Sequence, residues 1–207
     1  MPRSVVATDN FNRASLGSDW AQLRPGGGNL TIDTNRLAST GIAAGRWVGA
    51  GTFTNNQYAV LKLTTINVGS TGYIGVVVRA SGDTDSARDY YELDHFDGSG
   101  TPLVELYRTV NGSVTLLDSR ASPFVNGNTI ELEAQGTTLR AMRNGQTLYT
   151  ITDSMLTTGN PGAMNEPNLT LFGDDWEGGN LVAGTPWAEP ALFGGQTIYR
   201  LPARRWG

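Results

Sequence analysis

Residues 57 to 151 form a long series of short alternating segments punctuated by Asn-Gly pairs. The sharpest instance is Leu103–Val110, then Asn111-Gly112, then Ser113–Leu117. Both central residues of a type I′ turn take φ > 0, and Asn-Gly does so with least strain, so this spacing predicts a β-hairpin. The signal returns at Asn144-Gly145, between Thr138–Arg143 and Gln146–Ile151. Glycine supplies 27 of the 207 residues, roughly twice its usual share of about 7%, as a chain with many tight turns needs.

The rest of the pattern agrees. Asn29–Asp33 and Tyr58–Thr64 alternate as half-buried strands, and Asn35–Ser39 reads as the hairpin partner of the first. Tyr73–Arg79 is nearly continuous apolar and predicts a central strand buried on both faces. Asp89–Phe96 reads as an edge-exposed strand, Thr129–Ala134 leads through Gln135-Gly136 into the Asn144 hairpin, and Asn168–Gly173 is the last clear strand. No amphipathic helix of useful length is evident. So many strands at such spacing predict an all-β, two-sheet antiparallel sandwich.

The sandwich is expected to occupy residues 1–178. Beyond Trp176, glycines and prolines interrupt every periodic run, yet the stretch 179–207 carries Trp187, Phe193, Tyr199 and Trp206. A disordered tail lacks such residues. This predicts an irregular C-terminal arm that packs as a strap on its own domain or docks on a neighbouring subunit.

Composition excludes several function classes. Net charge is −4, and basic residues gather only at Arg200, Arg204 and Arg205, so there is no stripe for nucleic acid. Cysteine is absent, which removes disulfides and thiolate zinc sites, and a single histidine, His95, removes a multi-histidine metal site. Oxygen-ligand cations such as calcium stay available. No run approaches the roughly 18 apolar residues of a membrane span, and the N-terminal residues lack the apolar stretch of a signal peptide. These features lead us to expect no membrane insertion and a chain that is made in the cytoplasm, already processed, or released by a non-secretory route, of which virion assembly followed by lysis is one.

Asp9-Asn10-Phe11-Asn12-Arg13 with Leu16-Gly17-Ser18-Asp19-Trp20, then Tyr73–Arg79, Tyr90–Leu93, Leu106–Arg108 with Asn111-Gly112, and finally Thr152–Ser154, Gly159–Gly162 and Asp174-Asp175-Trp176 resemble, in that order, the concanavalin A-like, laminin-G-like jelly rolls. These occur in bacterial surface proteins, glycan-active enzymes and bacteriophage tail, fibre and capsid-decoration proteins. The resemblance spans roughly residues 5 to 178 and implies two antiparallel sheets packed face to face. It does not imply one activity.

Three groups of residues could carry chemistry. The resemblance places the first and last core strands side by side, which brings Asp9 near Asp174 or Asp175. Calcium takes about six to eight oxygens, so these carboxylates are candidate ligands for a structural Ca2+. Glu92-Leu93-Asp94-His95-Phe96-Asp97 looks like the Glu-x-Asp-x-x-Glu signature of laminarinase- and lichenase-type glucanases, with Asp97 in the acid/base place. A retaining mechanism sets two carboxyls about 5 Å apart; here the third residue is one methylene short and abuts Gly98. No Gly-x-Ser-x-Gly elbow accompanies His95, which reads as an exposed strand histidine. Glycan binding needs aromatic faces beside polar groups; Trp47, Tyr90, Tyr91, Trp176 and Trp187 form the pool, with Trp47, Tyr90 and Trp176 preferred.

These readings converge on a non-enzymatic, lectin-like virion protein, a homo-oligomer and conceivably a trimer, in contact with other virion proteins and host-surface glycans. The alternatives are a glucanase-type hydrolase using Glu92, Asp94 and Asp97, or an extracellular carbohydrate-binding module.

Overall fold

The computed structural model describes residues 2–24, 26–66, 72–96, 101–166 and 171–182, and the backbone of 192–193 and 196–197. The chain runs through β1 (Arg3–Asp9), β2 (Trp20–Gln22), β3 (Leu30–Asp33), β4 (Arg36–Ser39), β5 (Ala43–Trp47), β6 (Gln57–Thr65), β7 (Tyr73–Ser81) and β8 (Asp89–Phe96). It continues through β9 (Leu103–Val110), β10 (Ser113–Ala121), β11 (Thr129–Gln135), β12 (Thr138–Arg143), β13 (Gln146–Thr152), β14 (Asn160–Asn165) and β15 (Phe172–Leu181). A small separate hairpin, β16 (Leu192–Phe193) and β17 (Gln196–Thr197), follows. No helix occurs among the described residues.

Two antiparallel sheets pack face to face as a jelly-roll sandwich. One has the order β13-β12-β11-β6-β15-β4-β3, with β1 also paired to β15; the other runs β10-β9-β8-β7-β14-β5-β2. The Asn-Gly turns form as the sequence predicts. Asn111 and Gly112 have φ of 48° and 77°, and Asn144 and Gly145 have 49° and 75°. The β3–β4 hairpin builds the same shape from Thr34 and Asn35, at 50° and 59°.

The core lies between the sheets. Leu61, Leu63, Ile130 and Leu132 from one sheet meet Val76, Val78, Tyr91, Leu93, Val104 and Leu106 from the other. Each such side chain contributes about 1.5–3 kcal/mol when fully buried. One end is closed by Phe11, Trp20, Trp47 and Trp176, whose rings lie 4.9–6.0 Å apart in edge and stacked contacts.

Three expectations are corrected. β8 is an interior strand between β7 and β9, not an exposed edge, because β9 and β10 fold back beside it. His95 is fully buried on the inner face of β8, its Nδ1 2.8 Å from the Ser122 hydroxyl. The sandwich also passes residue 178: β15 pairs with β1 as far as Leu181, and the Val182 N–H donates to the Pro2 carbonyl at 3.0 Å. The segment Gly178-Gly179, which reads as a breaker, is interior strand. A Cβ on Gly179 would lie 2.3 Å from the Ser4 carbonyl and 2.7 Å from the Tyr58 ring. The missing side chain lets Arg3 cross β15, stack 4.6 Å from the Tyr58 centroid, and donate to Glu131 at 2.8 Å and Glu133 at 3.1 Å.

Candidate functional site

Strand alternation divides β8 cleanly. Tyr91, Leu93 and His95 point into the sandwich, while Tyr90, Glu92, Asp94 and Phe96 lie on the outer face of the seven-stranded sheet. Register then sets their neighbours. On β9, Glu105 lies opposite Asp94, Tyr107 opposite Glu92 and Thr109 opposite Tyr90. On β7, Tyr73 lies opposite Phe96, Gly75 opposite Asp94 and Val77 opposite Glu92. A carboxyl row is thus framed by aromatics: Tyr73 and Phe96 stack at 4.7 Å with planes 20° apart, and both remain half-buried, as does Tyr107. Leu23, Ala44, Val77, Tyr90 and Met164 form an apolar floor beside it.

The three carboxyls differ in chemistry. Glu105 accepts the Tyr107 hydroxyl at 2.8 Å and the Ser119 hydroxyl at 2.9 Å, one on each oxygen. Burial and that carboxylate push the Tyr107 phenol up. Asp94 has no exposed surface, and no described protein donor reaches either of its oxygens. Glu92 and Glu105 are its carboxyl neighbours on the same face. Burial, and then the Glu92 charge, raise Asp94 well above the ordinary carboxyl range; burial raises Glu92 as well, opposed by Arg24 and Arg88. The Nε atoms of Arg24, Arg46 and Arg88 are buried without a partner among the described residues. The face therefore offers a row of buried carboxyls and half-buried rings.

Two of the predicted glucanase trio fall among the described residues. Glu92 and Asp94 share one face, as alternation requires; Asp97 lies outside the described residues. The preferred glycan-binding aromatics are buried: Trp47 and Trp176 lie in the core and Tyr90 in the floor of this face. Trp47, Tyr90 and Trp176 are 9%, 2% and 1% exposed, so none presents a ring face to solvent. The Trp176 indole donates to the Gly162 carbonyl at 3.0 Å, and Tyr91 donates to Asp153 at 2.6 Å, which fixes both as core groups. Trp187, Tyr199 and Trp206 lie outside the described residues, as does the side chain of Phe193. The aromatics that do reach the surface beside carboxyls are Tyr73, Phe96 and Tyr107. Period-two reading of β8 pairs Phe96 with Asp94 and Glu92; Tyr73 and Tyr107 need the register of β7 and β9.

The expected meeting of the first and last strands occurs. Asp9 lies opposite Trp176, beside Asp175, on a cleft of about 520 Å³ that Arg13, Asp19, Trp47 and Glu177 also line. Asp9, however, is already served by protein donors: the Phe11 N–H at 2.8 Å, the Trp20 indole at 2.7 Å and both terminal nitrogens of Arg13, at 2.5 and 2.6 Å. Burial works to raise it, and these donors overcome burial and hold it below the usual carboxylate range. Asp175 pairs with Lys62 at 2.9 Å, and Asp174 accepts the Asp175 N–H at 2.8 Å. A guanidinium stands where a calcium bound by Asp9 would have to sit, and no group of three or more acidic or histidine side chains among the described residues is placed to hold a metal ion. The arrangement reads as an Asx-type cap that fastens the chain's entry into the sandwich.

No protein-family model matches the sequence, and no curated protein matches it significantly. Solved structures do resemble it. A Bacillus subtilis protein of unknown function with a galectin-like fold is 14% identical over 86% of this chain and 97% of its own, with a TM-score of 0.62. A prokaryotic β-1,3-1,4-glucanase (lichenase) from a mouse hindgut metagenome is 14% identical over 86% of this chain and all (100%) of its own, at 0.60. A carbohydrate binding module from Bacillus subtilis is 14% identical over 77% of this chain and 96% of its own, at 0.55. At such identities the likeness is one of fold.

Proposed function

We propose that this chain is a carbohydrate-recognising jelly roll that binds a glycan on the outer face of its seven-stranded sheet without cleaving it. The observation that carries the reading is the carboxyl row Glu92, Asp94 and Glu105 set among the half-buried rings of Tyr73, Phe96 and Tyr107. Sugars present apolar C–H faces that stack on rings and hydroxyls that donate to carboxylates. The fold shared with a carbohydrate binding module and a lichenase supports the reading by analogy. On a glycan array, the parent chain should retain a glycan that Tyr107→Ala and Tyr73→Ala lose, while Trp47→Phe keeps it. An array with no hit, or hits indifferent to Tyr73 and Tyr107, would sink the proposal.

A second reading has its own support. Glu92 and Asp94, on one face of β8, match the first two positions of the glucanase signature, so hydrolysis of a β-glucan is the alternative, with Glu92 as nucleophile and Asp97 as acid/base. Release of reducing ends that Glu92→Gln abolishes would establish it. As for setting, the low charge of 16% and the absence of cysteine support display on a bacteriophage virion. Absence of the chain from purified particles, by mass spectrometry, would count against that placement.

A further inference from the structure

The outer face of the seven-stranded sheet holds a second polar feature, at the far side from the carboxyl row. Register carries the face across five strands. Arg46 on β5 lies opposite Gly162 on β14, Gly162 opposite Val77 on β7, Val77 opposite Glu92 on β8, and Glu92 opposite Tyr107 on β9. Arg46 stands two residues from Ala44, a member of the apolar floor, and so on the same side of β5. Arg24 follows Leu23, another floor residue, and its charge opposes the upward shifts of Glu92 and Glu166, which sets its guanidinium over this face. Glu92, Asp94 and Glu105 thus line the β8–β9 half, and Arg24 and Arg46 belong to the β2–β5 half.

These two arginines differ from the other described basic residues. Every other one pairs with a carboxylate or donates to a carbonyl. Arg24 and Arg46 make no hydrogen bond or ion pair among the described residues, yet each is half-buried with its Nε enclosed. A guanidinium that gives up water for no protein acceptor favours an anion arriving with a ligand. The surface between the two halves is kept low. Gly162 and Gly75 carry no side chain there, and a Cβ would run into the Gly45 carbonyl at the first and the Leu93 carbonyl at the second. The turn after Arg24 forms a wall: a Cβ on Gly27 would lie 3.2 Å from the Arg24 Nε, and one on Gly26 would strike the Asp85 carboxylate.

Building on the glycan-binding reading, we propose that the ligand is an acidic oligosaccharide lying across the strands, with a uronate carboxylate or sulfate ester on Arg24 and Arg46 and sugar rings on Tyr73 and Tyr107. The guanidinium fork matches paired oxygens of either anion. Arg46 and Glu92 are three strand spacings apart, about 14 Å, so one sugar ring does not reach both. The carboxyl row takes hydroxyls and repels the anionic group, which fixes the direction in which the chain lies.

An array of uronate-bearing, sulfated and neutral oligosaccharides tests this in the full chain. The hits should carry uronate or sulfate. Reducing the carboxyl to an alcohol, or removing the sulfate, should weaken binding at least ten-fold by titration calorimetry, and the treatment that does so identifies the anion. Arg24→Gln and Arg46→Gln should each weaken the acidic ligand at least five-fold and flatten its dependence on salt, with Arg46→Lys, which keeps the charge but not the fork, falling between. Arg36→Gln, on β4 of the other sheet, removes an equal charge and should leave Kd within two-fold. Hits confined to neutral glycans and lost in Tyr107→Ala would overturn the acidic ligand while the glycan-binding face stands. Acidic hits indifferent to both arginines would overturn their assignment, and an array without a hit would remove both readings.

Discussion

Asp94 is wholly enclosed, and no donor among the described residues reaches either oxygen, so its ionised form is costly. A carboxyl whose folded pKa is raised holds its proton more tightly folded than unfolded. Its contribution to stability is therefore complete below the unfolded carboxyl range, near about pH 4, and is lost as pH rises through the folded value. Glu92 acts in the same direction. Asp9 and Asp153 act oppositely. For each, burial works upward and is overcome by donors, Arg13 and Trp20 for Asp9 and Tyr91 and the Met155 N–H for Asp153. Those contributions are present above the unfolded range and are lost as pH falls through the lowered values. Asp94→Asn cannot ionise, and its amide can donate to Glu92. Relative to the parent it should be near neutral at pH 4 and more stable at pH 8, by on the order of 1–2 kcal/mol, in urea melts at the two pH values. A parent and variant that track each other across that range would refute the raised Asp94 carboxyl. Arg79 poses the reverse problem, a buried cation with φ of 54° and no carboxylate among its hydrogen-bond partners. Its guanidinium instead donates to the carbonyls of Asn55, Leu156 and Gly136, at 2.7–3.1 Å, joining three loops. Arg79→Met leaves all three carbonyls unpaired, and we expect a loss of about 3 kcal/mol, read from the denaturation midpoint.

At the scale of elements, the two Asn-Gly hairpins share backbone shape but not surroundings. A Cβ at Gly145 meets nothing within 4 Å, whereas one at Gly112 would lie 2.2 Å from the Asp85 carbonyl. Gly145→Ala should therefore cost only the left-handed backbone penalty, about 1 kcal/mol. Gly112→Ala adds a clash with backbone and should cost at least about twice that. Equal costs in thermal melts would mean that the 82–88 loop yields freely. These hairpins were legible because turn chemistry is local: two residues suffice to specify φ. The same locality explains what was misread. Trp47 and Trp176 look like binding aromatics along the chain, yet β2, β5 and β15 bring Trp20, Trp47 and Trp176 together from distant positions and bury them. Tyr73 and Tyr107 carry no local mark; only the pairing of β7 and β9 with β8 sets them beside Asp94 and Glu92. Glu92 and Asp94 were legible as a pair because period-two alternation within one strand needs no partner.

At the scale of the molecule, closure depends on β15. It is hydrogen-bonded to β6 along one side and to β1 and β4 along the other, and it carries Trp176 into the core. The strand that ends the described sandwich is thus interior, and its pairing with β1 joins residues as far as 178 positions apart, Arg3 with Leu181. Such non-local pairing makes folding slow, because chain entropy must be lost before the contact rewards it. It also fixes where the chain can be cut. The texture of the sequence changes after Trp176, but the hydrogen-bonded ladder continues to Leu181, and Leu181 and Val182 donate to Asn56 and Pro2. A chain ended after Asp175 loses Trp176 from the core and leaves β1 without its partner, with β6 over residues 57–60 paired only to β11. Burying those free backbone groups, or exposing the core beside them, costs more than the whole stability of a typical domain, about 5–15 kcal/mol. A chain ended after Val182 keeps every strand of both sheets. By calorimetry, the first should show no cooperative transition, and the second should melt within a few degrees of the full chain. A cooperative transition in the chain ended after Asp175 would mean that β6 and β4 can close the sheet without β15, and that the ladder to β1 is dispensable.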